Sequence, residues 1–248
     1  MNRLARKIAI VTGASQGMGE SHARCMVAEG AQVVLTDINE QAGKKLAAEL
    51  GENARFVRHD VRDPAGWRAV VTEAENAFGR VNVLVNNAGI FGPLASTVEL
   101  TVEQFQQVCD VNQLSVFLGM QAVLPSMLQA GGGSIVNVSS IAGLVAIHGA
   151  PNLAYVASKF AVRGMTKQVA VEYGSRNVRV NSVHPGFVRT PMTAGAIDEG
   201  GDAAVSEIPL ARVADPVEVS RLLVFLASDE SSFITGAEHV IDGGMVAH

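Results

Sequence analysis

The sequence predicts one α/β domain spanning residues 1–248, a doubly wound, seven-stranded parallel sheet with helices on both faces. Three observations predict it. Short β-branched runs alternate with longer helical patterns along the whole chain, as successive β-α units do. Several of the runs are apolar on both faces, the pattern of strands buried within a parallel sheet. Hydrophobic residues make up 48% of the chain and charged residues 17%, enough to bury a sheet on both sides.

The predicted strands are 8–11, 33–36, 55–57, 81–85, 134–138, 178–183 and 239–241. Between them lie helical stretches near 17–29, 40–50, 64–78, 101–130, 155–174 and 216–228. Thr101, with Gln104 three residues on, has the capping-box pattern of a helix start. There is no internal repeat, linker or low-complexity tract. One segment, 193–212, is rich in Gly, Ala and acid and reads as a loop or a mobile small helix.

The net charge of −5 and pI near 5.7, without a basic run, argue against a nucleic-acid partner. Cys25 and Cys109 fall inside predicted helices and read as buried thiols in a reducing compartment. The basic start, Met1 to Lys7, leads into a short apolar run that reads as a first strand rather than a signal peptide. No apolar stretch is expected to reach the ~18–20 residues that cross a bilayer. A cytoplasmic protein with no membrane partner is expected.

Directly after the first strand stands Thr12-Gly13-Ala14-Ser15-Gln16-Gly17-Met18-Gly19, with a helix following at once. Glycines let the backbone approach a pyrophosphate, and free N–H groups at the helix start attract its charge. A glycine trio alone often serves only as a turn; the strand–turn–helix context is what points to a dinucleotide. Asp37, 24 residues after Gly13, closes the second strand, where a carboxylate accepts hydrogen bonds from a ribose and repels a 2′-phosphate. With Gln16 where a phosphate-pairing cation would stand, this favours NAD over NADP.

Tyr155 and Lys159 lie four apart on a predicted helix, so phenol and ammonium can share one pocket. The ammonium is expected to lower the phenol pKa and suit Tyr155 to proton exchange. Isolated pairs at this spacing are common on solvated surfaces; here a nucleotide-binding turn accompanies the pair. No Cys/His/Asp cluster has metal-ligand spacing, so no metal is expected.

Taken in order, Thr12 to Gly19, His59-Asp60-Val61, Asn86-Asn87-Ala88-Gly89, Asn112, Ser139-Ser140, Tyr155-Val156-Ala157-Ser158-Lys159 and His184-Pro185-Gly186 resemble the short-chain dehydrogenase/reductase family over essentially the whole chain. Residues 180–186 and 190–194 most resemble bacterial 3α(20β)-hydroxysteroid dehydrogenases and related NAD-dependent secondary alcohol dehydrogenases. The resemblance implies a Rossmann fold and an oxidoreductase that interconverts a cyclic, steroid-like or aryl secondary alcohol and its ketone. It implies Tyr155 as general acid/base and Lys159 holding the ribose while lowering the tyrosine pKa. It also implies Ser140 on the substrate oxygen, with Ser139 the alternative, and Asn112 bending its long helix to hold a water of the proton relay. The cofactor site it implies comprises Gly13, Ser15, Gln16, Gly17, Met18, Gly19, Asp37, Ile38, Asp60, Val61, Asn87, Ala88, Gly89, Tyr155, Lys159, Pro185, Gly186, Val188, Thr190 and Met192. Asp60 and Val61 would meet the adenine, and Pro185, Gly186, Val188 and Thr190 the nicotinamide. Ala142 and Phe187 would join Ser140 and Tyr155 against the substrate.

Fourteen residues separate Ser140 from Tyr155, two more than is usual in the family. The extra length is expected to form a loop that brings His148 and Asn152 to the substrate as polar contacts. His184, at a strand end, reads as a packed strand residue before it reads as a base. Apolar residues around more than one face of the helices near 101–130 and 155–174, including Phe105, Val108, Phe117, Met120, Phe160, Val169 and Val171, predict a homotetramer. Two rivals remain: a 3-oxoacyl-thioester reductase, and a non-catalytic nucleotide-sensing or scaffold protein on the same fold.

Overall fold

Every apolar run that reads as a strand is one. The computed structural model describes residues 2–147, 149–195, 205–206 and 208–247. In chain order it contains β1 (Ile8–Thr12), α1 (Gly17–Ala28), β2 (Gln32–Asp37), α2 (Glu40–Leu50), β3 (Ala54–Arg58), α3 (Pro64–Ala77) and β4 (Val83–Asn86). There follow α4 (Val102–Cys109), α5 (Ser115–Gln129), β5 (Gly133–Val138), α6 (Leu153–Tyr173), β6 (Val178–Pro185), α7 (Pro216–Ala227) and β7 (Glu238–Ile241). Among the described residues the seven strands form one sheet, ordered β3-β2-β1-β4-β5-β6-β7, and every pairing is parallel.

The pleat divides the core. Ala9, Val11, Val33, Leu35, Val85 and Val136 face α1 and α7, where they meet Ala23, Met26, Val219 and Leu223. Ile10, Val34, Leu84 and Ile135 point the other way, against Trp67 and Val70 of α3, Val123 and Met127 of α5, and Val162 of α6. Ile10 sits in register with Val34 and Leu84 across neighbouring strands. Each fully buried side chain of this kind contributes about 1.5–3 kcal/mol.

Strand order reverses between β1 and β4, which opens a crevice at their carboxyl ends. The glycine turn leaves β1 and Asn87 leaves β4, so both converge on that crevice.

Three expectations change. The long helix expected over 101–130 starts with the predicted capping box, Thr101 Oγ1 accepting the Gln104 N–H (3.2 Å) and Gln104 Oε1 the Thr101 N–H (3.1 Å). It is then interrupted by a π-helical turn at Asp110–Leu114 that contains the buried Asn112. Its full run, Val102–Gln129, is long and apolar enough to span a membrane, contrary to expectation; more than half of its most apolar window is buried within the fold, as in a core helix. Val108 and Met120 belong to the core, whereas Phe117, Phe160 and Val171 are exposed. The third change is at the start of α6, at Leu153, two residues early, because Asn152 Oδ1 accepts the Tyr155 N–H and caps the helix. Much of the 193–212 loop, and all of His148, lies outside the described residues.

Candidate active site

The crevice encloses about 550 Å³ and is lined by the glycine turn, the ends of β2, β3 and β4, and Thr190 to Met192. Gly13 lies at φ +62°, a conformation that side chains disfavour, and an added Cβ would stand 2.9 Å from the Ala88 Cα. A Cβ on Gly19 would collide with the Gly13 carbonyl oxygen. Backbone therefore forms the floor here. Asn87 Nδ2 fixes it, donating to the carbonyls of Thr12 (2.9 Å) and Gly13 (3.2 Å), and Thr12 Oγ1 accepts the N–H groups of Asn87 and Ala88. The buried Ser15 Oγ finds no partner among the described residues. A backbone floor with an orphaned hydroxyl fits the pyrophosphate of a dinucleotide.

Asp37 stands where β2 ends, its carboxylate held by the N–H groups of Ser15 (3.1 Å) and Asn39 (2.9 Å). Ile38, Asp60, Val61, Ala88, Gly89, Thr190 and Met192 line the same crevice, as does Gln16 with Gly17 and Met18. Arg62 lines it too and was not anticipated; its guanidinium forks onto Asp60 (Nη2 to Oδ2 2.6 Å, Nε to Oδ1 3.0 Å) and holds that carboxyl down at about 2. The Asp60 carboxylate is thus committed to Arg62 rather than left open to a base. Asn39, His59, Gln107 and Val111 also line the crevice. Around the end of β6, Pro185 ends the strand in the interior, Gly186 donates its N–H to the Ile241 carbonyl, and Val188 is buried and bridged to Ala214. They hold the backbone that delivers Thr190.

At the inner end, Gly89 lies against both Lys159 and Asn112: a Cβ there would come 3.6 Å from Lys159 Nζ and 3.3 Å from Asn112 Oδ1. Asn112 spends its amide on Ile90, accepting its N–H and donating to its carbonyl (2.8 Å each), and on Ser158 Oγ (3.2 Å). The two serines after β5 separate cleanly. Ser139 donates to the Lys159 carbonyl (3.0 Å), whereas the Ser140 hydroxyl accepts the Ala142 N–H (3.1 Å) and lies near enough to the Tyr155 phenol to favour its ionised form. Ala142 is 1% exposed, so it orients Ser140 instead of touching substrate. His184 is a buried strand residue whose Nδ1–H donates to the Ser140 carbonyl (2.9 Å) and whose Nε2 accepts from Ser182 (2.8 Å). Phe187 is half-buried beside this strand end.

Two expectations fail at the pair itself. Lys159 is 4% exposed, with Nζ donating to the Val138 carbonyl (2.9 Å) and lying 5.6 Å from the Tyr155 ring centroid. Burial pushes the ammonium down to about 8 and pushes the phenol above its ordinary value, with only Ser140 pulling it back. Desolvation of both groups outweighs the expected effect of lysine on tyrosine. Asn152 is also not a substrate contact: it is 4% exposed, with Oδ1 on the Tyr155 N–H and Nδ2 on the Phe91 carbonyl (2.8 Å).

A family model described as enoyl-(acyl carrier protein) reductase matches residues 13–246. The chain is 52% identical to a 3-alpha-(or 20-beta)-hydroxysteroid dehydrogenase of Mycobacterium tuberculosis, over 99% of this chain and 91% of that protein. It is 46% identical to a trans-4-hydroxycyclohexanecarboxylate dehydrogenase of Sinomonas cyclohexanicum, over 99% and 95%. A crystal structure of gox2181 superposes with a TM-score of 0.96 at 30% identity, covering 100% of this chain and 99% of that one.

Proposed function

The chain belongs to the short-chain dehydrogenase/reductase family, and from that premise we propose that it interconverts a cyclic, steroid-like or aryl secondary alcohol and its ketone with NAD as hydride carrier. One observation carries the reading: Ser140 and Tyr155 lie together beside Lys159, whose ammonium stands directly behind Gly89 in the wall of a crevice shaped for a dinucleotide. Family membership implies a nicotinamide cofactor, which when bound accepts or gives hydride at its ring. The chain supplies position and proton traffic. Gly13, Ser15 and Gly19 would receive the pyrophosphate, Asp37 the adenosine ribose and Lys159 the second ribose. The Ser140 hydroxyl donates to the substrate oxygen as charge develops there, and Tyr155 moves the proton.

The NAD preference rests on Asp37, fixed by two backbone N–H groups so that it cannot turn away from a 2′-phosphate. Like-charge juxtaposition costs several kcal/mol, and about 1.4 kcal/mol is tenfold, so kcat/KM with NAD⁺ is expected to exceed that with NADP⁺ by roughly a hundredfold. The test is NADH absorbance with cyclohexanol, a hydroxysteroid and an aryl ethanol, each with both cofactors. Turnover confined to NADPH and an acyl thioester would replace this reading with the thioester reductase.

We further propose a cytoplasmic homotetramer. The free thiols of Cys25 and Cys109 suit a reducing compartment. Phe117, Phe160 and Val171, exposed on α5 and α6, and Val240, exposed on β7, give two apolar surfaces for pairing with other copies. Light scattering at micromolar concentration is expected to give four times the 25.9 kDa chain mass; a monomer would count against it.

A further inference from the structure

Asn152 joins two pieces of chain that meet at the phenol. Its Oδ1 accepts the backbone N–H of Tyr155 (3.2 Å), and its Nδ2 donates to the carbonyl of Phe91 (2.8 Å). The Phe91 ring lies against the Tyr155 ring, with centroids 4.9 Å apart and planes at 47°. The segment that carries Phe91 is fixed on either side. Ile90 is held through both its N–H and its carbonyl by Asn112, and Gly92, at φ +75°, packs where a Cβ would strike Val108. The connection continues outward, since Ala95 donates its N–H to the Pro151 carbonyl (3.0 Å). The lengthened loop before Tyr155 is therefore stitched to the 90–95 segment directly before the catalytic helix.

We propose that Asn152 is a positioning residue for Tyr155: it ties the tyrosine backbone to the Phe91 carbonyl, so that the Phe91 ring walls one side of the phenol and fixes where its oxygen meets substrate. This rests on the reading of Tyr155 as the proton-exchanging group. An ordinary helix cap needs only an acceptor, which serine provides as well as asparagine. Reaching the Phe91 carbonyl as well takes a side chain with acceptor and donor on one planar group and the length of asparagine.

Asn152→Ser separates the two roles, because it keeps a neutral cap but is too short to reach Phe91. The chain contains two tyrosines, Tyr155 and Tyr173, so tyrosinate absorbance can be followed through a pH titration and assigned with Tyr155→Phe. Lys159 and Ser140, the groups facing the phenol, are unchanged in this variant. We expect Asn152→Ser to lower the melting temperature by only a few degrees and to keep the KM for NAD⁺, while kcat on cyclohexanol falls roughly ten- to a hundredfold, the scale of a misplaced reacting group. The Tyr155 midpoint should move down towards the ordinary tyrosine value as water reaches the ring. Unchanged kcat with an unmoved midpoint would reduce Asn152 to a cap and overturn the proposal. If the unmodified protein does not turn over cyclohexanol, the functional reading is what fails, and the titration midpoint alone still decides whether Asn152 places the phenol.

Discussion

Tyr155→Phe is expected to cut alcohol oxidation by roughly 10²- to 10⁴-fold, the usual worth of a positioned general acid/base, while NADH still binds. The substitution removes one hydroxyl near Ser140 and leaves the Tyr155 ring in place, so fold and crevice persist. NADH fluorescence titration of the variant checks binding, and single-turnover absorbance checks chemistry. Burial sets the direction of the pH dependence. The phenol is held above its ordinary range, so at neutral pH it is protonated and ready to donate to a ketone. Oxidation needs the phenolate, so its kcat/KM should climb as pH rises above neutral, while reduction declines over the same range. Full activity in the phenylalanine variant at neutral pH would remove Tyr155 from the mechanism.

Lys159→Met should lose activity and gain stability. The ammonium is pushed from 10.5 down to about 8 by burial, so keeping it charged in the fold at neutral pH costs on the order of 3 kcal/mol. Losing its charge-assisted bond to the buried Val138 carbonyl returns about 1.5–3 kcal/mol of that, leaving a net gain of at most about 1.5 kcal/mol for the similarly long, apolar methionine. The sign follows from linkage. With the folded pKa depressed, the penalty is complete below about pH 8 and disappears as pH rises towards 10.5. The stability difference between variant and unmodified protein, from urea unfolding, should therefore be largest at pH 7 and shrink by pH 10. A variant less stable than the unmodified protein at pH 7 would show that lysine packing outweighs its charge.

Periodicity and glycine placement were enough to locate the strands and the nucleotide turn, because both are local. Ile8 to Val11 and Val81 to Val85 read as buried strands from their own side chains, and Gly13 to Gly19 read as a turn from spacing. What escaped was non-local. Whether Lys159 or the surrounding protein governs the Tyr155 phenol depends on how much water the folded chain excludes, and no four-residue spacing encodes that. Arg62 escaped because its meaning comes from the fork on Asp60 at the rim of the crevice. Asn152 carries a local signal, an N-capping residue type directly before a helix, which competes with its place in the lengthened loop beside the substrate. The apolar run at 102–129 shows the reverse case: composition alone suits a bilayer, and only its contacts with the sheet and α6 mark it as core.

The π turn at Asp110–Leu114 also sets the rotational phase between α4 and α5. A π turn accommodates one residue more than an α turn, and one residue is about 100° of rotation around a helix axis. Removing one residue between 110 and 114 would let α4 and α5 join as one regular helix and rotate everything upstream by that angle. Val108 would leave Gly92, and the grip of Asn112 on Ile90 would be broken. A single-codon deletion would thus remove both contacts at once, whereas a substitution at Asn112 removes, of the two, only its bonds to Ile90.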